Sequence, residues 1–155
     1  MTGSPGPRPP KLDPALEFLQ RLWALNHALE RLSNRMEKRL GVTAQQRLLI
    51  RCVGASPGIT PGQLATLLHL DPGTISASVA RLEKRKLVVR RRDPEDSRRV
   101  TIALTKAGRA LDVPTPGTVQ AAVERLLDGA SKAETKAVRA VLERFTALLL
   151  EETGP

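Results

Sequence analysis

Positive charge is the chemical feature that stands out in this sequence of 155 residues, whose net charge is +9. Residues 81–109 hold 11 basic and 4 acidic side chains, so this segment alone carries +7. Such a concentration favours a polyanionic partner, because each phosphate that a guanidinium neutralises releases a condensed counterion. A solvated hairpin edge is the alternative interpretation, since charges also protect exposed strands. The arginines concerned are Arg90, Arg91, Arg92, Arg98 and Arg99.

A helix is predicted immediately before this basic segment. Asp71 can cap it and Pro72 suits its first position, where a missing N–H costs nothing. Ile75, Val79 and Leu82 recur at helical spacing and predict a buried stripe. A small, polar opposite face that ends in one cation could approach a nucleic-acid groove closely. This outward face is predicted to comprise Gly73, Thr74, Ala77, Ser78 and Arg81.

Short elements surround the predicted helix. Thr60 with Gln63 forms a capping pattern for a preceding short helix, so that the two predict a helix-turn-helix. Alternating residues then predict strands at 87–90 and 100–104, joined by a polar turn over 92–99. Strand, basic turn and strand together predict a β-hairpin wing.

Longer helical segments flank this region. Asp13-Pro14 and Gly41 delimit a long first helix, and a short helix from Thr105 is interrupted at 113–117. A further helix begins near Thr115 or Thr118 and breaks at Asp128-Gly129. The last helix starts at Ser131-Lys132-Ala133-Glu134, a capping box. Apolar faces on the first and last helices predict a dimer surface that includes Leu12, Leu16, Leu19, Val141, Phe145, Leu148 and Leu149.

Residues 42–109 resemble the MarR family of winged-helix transcription regulators. Matching pieces include Thr43-Ala44-Gln45-Gln46, Leu70 to Ser76 and Leu82 to Val88. The most specific piece is Asp96 to Gly108, which follows the family's pattern of Asp-x-Arg, an alternating strand and Leu-Thr-x-x-Gly. The resemblance implies a mainly α fold with a small β-hairpin, in which a winged helix-turn-helix is flanked by N- and C-terminal helices that form a dimerisation bundle.

The resemblance also implies a function. A homodimer would place one recognition helix per subunit in the major groove of a pseudo-palindromic operator, and a small aromatic or phenolic effector would lower its affinity. By analogy Arg98 enters the minor groove and Asp96 orients it. Arg81 could bind guanine bidentately. The expected outcome is repression of transcription.

Three departures from the family pattern affect this transfer. Ala77 stands where many relatives have a long polar residue, so one groove contact is expected to be absent. Lys86 replaces the glycine that usually precedes the first wing strand, so a different turn is expected there. The prolines within 113–117 interrupt a helix that commonly links the wing to the dimer bundle, which affects the subunit spacing.

The predicted organisation has four parts. Residues 1–10 form a flexible tail, 11–41 an N-terminal dimerisation helix, 42–109 the DNA-binding domain and 110–155 the C-terminal dimerisation helices. Aromatic residues make up only 2% of the sequence. This scarcity argues against recognition of single-stranded bases by stacking.

Three further residues allow two interpretations each. Trp23 and His27 lie one turn apart on the first helix and could line a ligand cleft, but core packing or an interface role is at least as reasonable. Cys52, the one cysteine, could sense peroxide. It lies on an apolar face without an evident activating neighbour, so a buried structural role is favoured.

The sequence contains no catalytic constellation, no metal-ligand spacing and no cofactor motif, so we expect neither an enzyme, a metal site nor a cofactor. It has no long apolar stretch or leader, so we expect a cytoplasmic protein without a membrane partner. Double-stranded DNA and a second copy of the chain are the expected partners. Two alternatives remain: a non-specific architectural DNA-binding protein, and a winged-helix module that binds another protein.

Overall fold

A computed structural model describes residues 11–154 of the chain. It contains seven helices and one antiparallel hairpin within those residues, in the order ααααββααα. The bounds are α1 Pro14–Leu40, α2 Ala44–Ala55, α3 Pro61–Leu68, α4 Pro72–Lys84, β1 Val88–Arg92, β2 Val100–Leu104, α5 Lys106–Leu111, α6 Val119–Gly129 and α7 Lys132–Glu152. The predicted tail at 1–10 lies outside the described residues. The mainly helical winged-helix architecture is confirmed.

Local capping residues account for most of the helix boundaries. As predicted, a complete capping box forms at Thr43, Thr60 and Ser131. In each, the side chain three residues later accepts a hydrogen bond from the backbone N–H of the cap. Asp13 caps α1, and Gly41 ends it at φ +75°, a left-handed conformation that glycine adopts without strain. Of the two starts predicted for α6, the structure selects Thr118.

The hydrophobic core lies inside the winged-helix region. Its aliphatic residues come from α2, α3, α4 and the hairpin, and include Leu49, Leu64, Ile75, Leu82 and Ile102. In contrast, α6 and α7 contain no buried residue. We call residues 42–111, which enclose this core, the winged-helix lobe.

The hairpin pairs Val88 with Leu104 and Arg92 with Val100. The first strand therefore extends two residues beyond its predicted end at Arg90, because Arg91 pairs with Thr101 and Arg92 pairs with Val100. The middle of β2 is also attached to the segment before α3, since the N–H of Ile102 donates to the carbonyl of Ile59 at 2.8 Å.

Lys86, just before β1, has φ +58°. The expectation of a different turn at this position is wrong. The lysine itself takes the left-handed conformation that glycine adopts without cost, and the N–H of Leu87 still donates to the carbonyl of Leu82 at 2.9 Å.

Candidate DNA-binding surface

The N-terminus of α4 is organised by Asp71. One carboxylate oxygen accepts from the Thr74 N–H at 2.8 Å, and the other accepts from the Thr74 hydroxyl. These two hydrogen bonds hold the pKa of Asp71 below its ordinary value, and the bond from the hydroxyl has the larger effect. An ionised carboxylate at a helix N-terminus also interacts favourably with the helix dipole. The Thr74 hydroxyl proton is thereby used inside the protein, and its oxygen remains free to accept.

The outward face of α4 matches the prediction at all but one position. Gly73, Ala77 and Arg81 are exposed, and Thr74 is half-buried. The prediction that Ser78 lies on this face is wrong, because its exposed fraction is 7%. Ser78 is three residues after Ile75 and four before Leu82, so helical geometry places it within the buried stripe.

Besides Pro72 at its first position, three exposed residues of α4 were missed by the sequence analysis: Ser76, Ala80 and Lys84. Their signal is the spacing from Gly73, since positions three, seven and eleven residues further along share its face. With these residues included, the exposed face is small and uncharged over two turns and becomes basic only at its C-terminal end.

Two wing arginines form ion pairs with carboxylates of the lobe. The Arg90 guanidinium lies 3.1 Å from Oε2 of Glu83, whose other oxygen accepts from the Arg90 N–H at 3.2 Å. This contact joins β1 to the C-terminal turn of α4. Arg99 Nε lies 3.7 Å from Oδ2 of Asp93 across the base of the turn. Arg90 and Arg99 therefore help to position the wing.

Arg91, Arg92 and Arg98 are exposed, and within residues 11–154 none of their guanidinium groups forms an ion pair. Asp96 was expected to orient the side chain of Arg98, but it binds the backbone of that residue instead. Its carboxylate accepts from the backbone N–H of Arg98 at 3.0 Å and not from the guanidinium. Asp96 thus fixes the backbone at Arg98, while the Arg98 side chain stays free.

Comparisons with known proteins agree with this geometry. The sequence profile of the MarR family matches residues 40–99. The organic hydroperoxide resistance transcriptional regulator of Bacillus subtilis is 31% identical over 112 residues, which are 70% of this chain and 75% of that protein. This chain belongs to the MarR family of transcriptional regulators.

Solved structures of regulators show the same fold. The transcriptional regulator SlyA is 26% identical, with a TM-score of 0.66 over 87% of this chain and 95% of that one. FabT of Streptococcus pneumoniae, solved in complex with DNA, is 25% identical, with a TM-score of 0.62 over 88% of this chain and 96% of that one.

This MarR-family chain also contains a cavity of about 730 Å³ between the lobe and α6. The lining is largely apolar and includes Leu48 and Cys52 of α2, Leu67 of α3, and Val119 and Val123 of α6. Two cations, Arg47 and Arg51, also border it. The Nε of Arg47 is the one buried side-chain polar atom of residues 11–154 that lacks a hydrogen-bond partner.

Trp23 and His27 do not line this cavity. Met36 does, and the two residues lie 13 and 9 positions before it, about 20 and 14 Å along the helix axis. Trp23 is instead 66% exposed in the single chain. The prediction of a ligand cleft at these two residues therefore does not agree with the cavity that the structure contains.

Cys52 is half-buried and packs against the core. Burial raises the pKa of its thiol, and the neighbouring Arg51 only partly opposes this effect. Since the thiolate is the reactive form, this environment agrees with the predicted structural role. Within residues 11–154 no group of potential metal ligands is present, and no helix is long and apolar enough to cross a bilayer.

Proposed function

We propose that this protein represses transcription by binding a pseudo-palindromic duplex as a homodimer. The observation that carries the proposal is the pairing of two exposed features on one lobe: the small face of α4 and the three wing arginines that form no ion pair within residues 11–154. The face would enter the major groove, while the wing would follow the backbone into the adjacent minor groove.

Steric and electrostatic properties support this placement. Gly73, Ala77 and Ala80 have little or no side chain, so the helix backbone can approach the bases closely. Arg81 follows on the same face and can donate two hydrogen bonds from its guanidinium to the O6 and N7 atoms of guanine. Arg98 suits a narrow minor groove, whose negative potential attracts guanidinium groups.

The dimer is supported by the apolar side chains that α1, α6 and α7 expose in the single chain. Those on the predicted surface include Leu16, Val141, Leu148 and Leu149, each exposed. Phe145 is half-buried because its ring packs edge-on against Phe18, with centroids 5.6 Å apart, within the same chain. Two such chains would present their recognition helices to major grooves about 34 Å apart.

The experiment is selection of bound sequences from a random duplex pool, followed by titration of the selected operator at two salt concentrations. Arg98→Ala is expected to weaken binding about tenfold and to reduce the salt slope by about one unit. Arg125→Ala is the matched control, because it removes the same charge from the exposed surface of α6. Its affinity should equal that of the wild type.

Other outcomes identify the alternative functions. Equal affinity for the selected and the scrambled duplex would indicate an architectural DNA-binding protein. Weak binding with little salt dependence in both proteins would indicate a lobe that binds another protein. Either result would contradict sequence-specific regulation.

The cavity provides the site for an effector in this proposal. Its apolar walls fit an aromatic ring, and the two cations that border it, Arg47 and Arg51, would attract an acidic substituent of that ring, as in a small aromatic acid or a phenol. Benzoate and phenol are suitable probes in a thermal-shift titration. Val123→Trp, which would fill the cavity from α6, should abolish the shift, and an equal shift in this variant would contradict the site.

Binding of the effector would act on the distance between the two recognition helices. Because the cavity lies between the lobe and α6, an occupant would shift one against the other and move the helices away from the groove spacing. A ligand-saturated dimer that bound the operator as tightly as the free one would refute this switch.

A further inference from the structure

The segment that joins the lobe to the dimerisation helices has backbone carbonyl groups that accept hydrogen bonds from distant side chains. This connector, residues 112–118, contains Pro114 and Pro116. Proline has no N–H, so neither residue can donate a backbone hydrogen bond within this segment.

Arg47 of α2 donates to two of these carbonyl groups. Its Nη1 lies 3.1 Å from the oxygen of Leu111, and its Nη2 lies 2.6 Å from that of Val113. The side chain is only 2% exposed, and desolvation lowers its pKa. Burying a guanidinium is costly unless its charge and donors are used. Here two of its nitrogens donate to carbonyls of the connector region, and the Thr115 hydroxyl donates to that of Val113 as well, at 2.9 Å.

Arg51, one turn further along α2, holds the middle of the connector. Its Nη1 lies 2.7 Å from the carbonyl oxygen of Asp112 and 2.6 Å from the carboxylate oxygen Oδ1 of the same residue. Its Nε donates to Gln120 on α6 at 3.0 Å. Gly54 makes the approach possible, because a Cβ atom there would lie 1.9 Å from Oδ2 of Asp112.

Arg39 of α1 holds the far end. Its Nη2 lies 2.6 Å from the carbonyl oxygen of Pro116 and 3.1 Å from that of Gly117. Five consecutive or nearly consecutive carbonyls are therefore bound by guanidinium groups from two helices. We call Arg39, Arg47 and Arg51 the arginine clamp.

We infer that the arginine clamp positions the recognition helix for DNA binding. It fixes the direction in which α6 and α7 leave the lobe, and this direction sets the separation of the two α4 helices in a dimer. The inference rests on the proposed function, because a fixed separation matters only if both helices enter one duplex. The clamp residues themselves act through the connector and are positioning residues.

The first test measures the geometry without DNA. Spin labels at Ser76→Cys in α4 and Lys136→Cys in α7, in a Cys52→Ser background, report the distance between lobe and dimerisation helices. An excess of unlabelled protein restricts the signal to pairs within one chain. Arg51→Lys and Asp112→Asn should each broaden the distance distribution, while Arg125→Lys on α6 should leave it narrow.

The second test measures binding to the selected operator with unlabelled proteins. Arg51→Lys keeps its charge, and we expect its affinity for the full operator to fall about 3- to 30-fold. Binding to a half-site and the salt slope should not change, because the clamp contacts no phosphate. A variant that was merely destabilised would lose half-site and operator binding together.

Arg47→Lys is a harsher change that could prevent folding, so the decision rests on the two milder variants. Unchanged distance distributions in both would overturn the inference, and so would unchanged operator affinity beside a broadened distribution. If wild-type protein bound no duplex, the proposed function would fail, and the inferred role in DNA binding would fail with it. The distance measurement would still show whether the clamp fixes the connector.

Discussion

The winged-helix lobe and the flanking helices bury their apolar residues in different ways. In the lobe, aliphatic side chains from three helices and a hairpin surround one core, and Leu64, Ile75 and Leu82 are completely buried. On α6 and α7 most large apolar side chains are exposed, although these helices are well capped. The lobe therefore contains its own stabilising contacts, whereas the flanking helices depend on a further surface. Folding and assembly are encoded in separate parts of one chain.

The largest expected difference between the two regions comes from truncating one leucine in each. Leu64→Ala in the lobe should lower the free energy of unfolding by about 2–5 kcal/mol, because it leaves a cavity in a closed core. Leu142→Ala on α7 should cost less than about 1 kcal/mol in the separated chain, because 52% of that residue is already exposed.

Chemical denaturation at several protein concentrations checks both changes. The Leu142→Ala variant should show its main effect as a raised dimer dissociation constant, which lowers its unfolding midpoint at concentrations where the wild-type chain is dimeric. Similar costs for the two variants at high dilution would contradict the division into a self-contained lobe and dependent helices.

Gly108→Ala tests the contact at the base of the wing. A Cβ atom at this position would lie 2.0 Å from the carbonyl oxygen of Leu87, which is backbone and cannot rotate away. We expect a loss of about 1–3 kcal/mol in unfolding free energy. Gly129→Ala is the control, because a Cβ there meets no atom within 4 Å. A loss at position 129 as large as that at 108 would refute the steric explanation.

Lys86→Gly is expected to stabilise the lobe. The lysine has φ +58°, and a left-handed conformation costs an L-residue roughly 1–2 kcal/mol, part of which glycine loses again through its greater freedom when unfolded. A net gain of about 0.5–1 kcal/mol should appear in urea denaturation. Lys84→Gly, in the last turn of α4, is the opposite control, since glycine inside a helix should destabilise it.

The smallest expected effect concerns pH. Hydrogen bonds from Thr74 lower the pKa of Asp71 below its ordinary value of 3.8. The ionised cap therefore contributes its stability above that value and loses it as the pH falls through the lower pKa of the folded state.

Asp71→Asn keeps a capping oxygen but cannot ionise, so wild-type protein should be the more stable at neutral pH. This advantage should shrink as the pH falls below 3.8 and disappear below the lowered pKa of the folded state. Urea denaturation across this range measures the difference. Asp128→Asn, at the other end of the molecule, provides the comparison, and a constant advantage at all pH values would contradict the role of the charge.

Local patterns predicted the helix boundaries and most of the candidate surface. Thr43, Thr60 and Ser131 could be identified because a capping box involves residues only three positions apart. Ser78 was misplaced because its small hydroxylated side chain suggested the outer face, although its spacing from Ile75 already indicated the inner one. Residue type was given more weight than helical geometry.

Contacts between distant segments could not be predicted in the same way. Arg47 and Arg51 lie more than sixty residues before the carbonyls that they bind, and no pattern in a single sequence connects them. The proline break was visible, but the arginines that bind the carbonyls around it were not. The ion pair between Arg90 and Glu83 was similarly missed, since Arg90 was interpreted only as a phosphate contact or a solvated edge.

The hydrogen bond between Ile102 and Ile59 has a mechanical consequence. It ties the middle of β2 to the residue just before Thr60, the cap of α3, on the side of β2 that does not pair with β1. A force applied at the tip of the hairpin is transmitted through this hydrogen bond to the helix-turn-helix. Bending of a bound duplex would therefore load the whole lobe as one rigid lever.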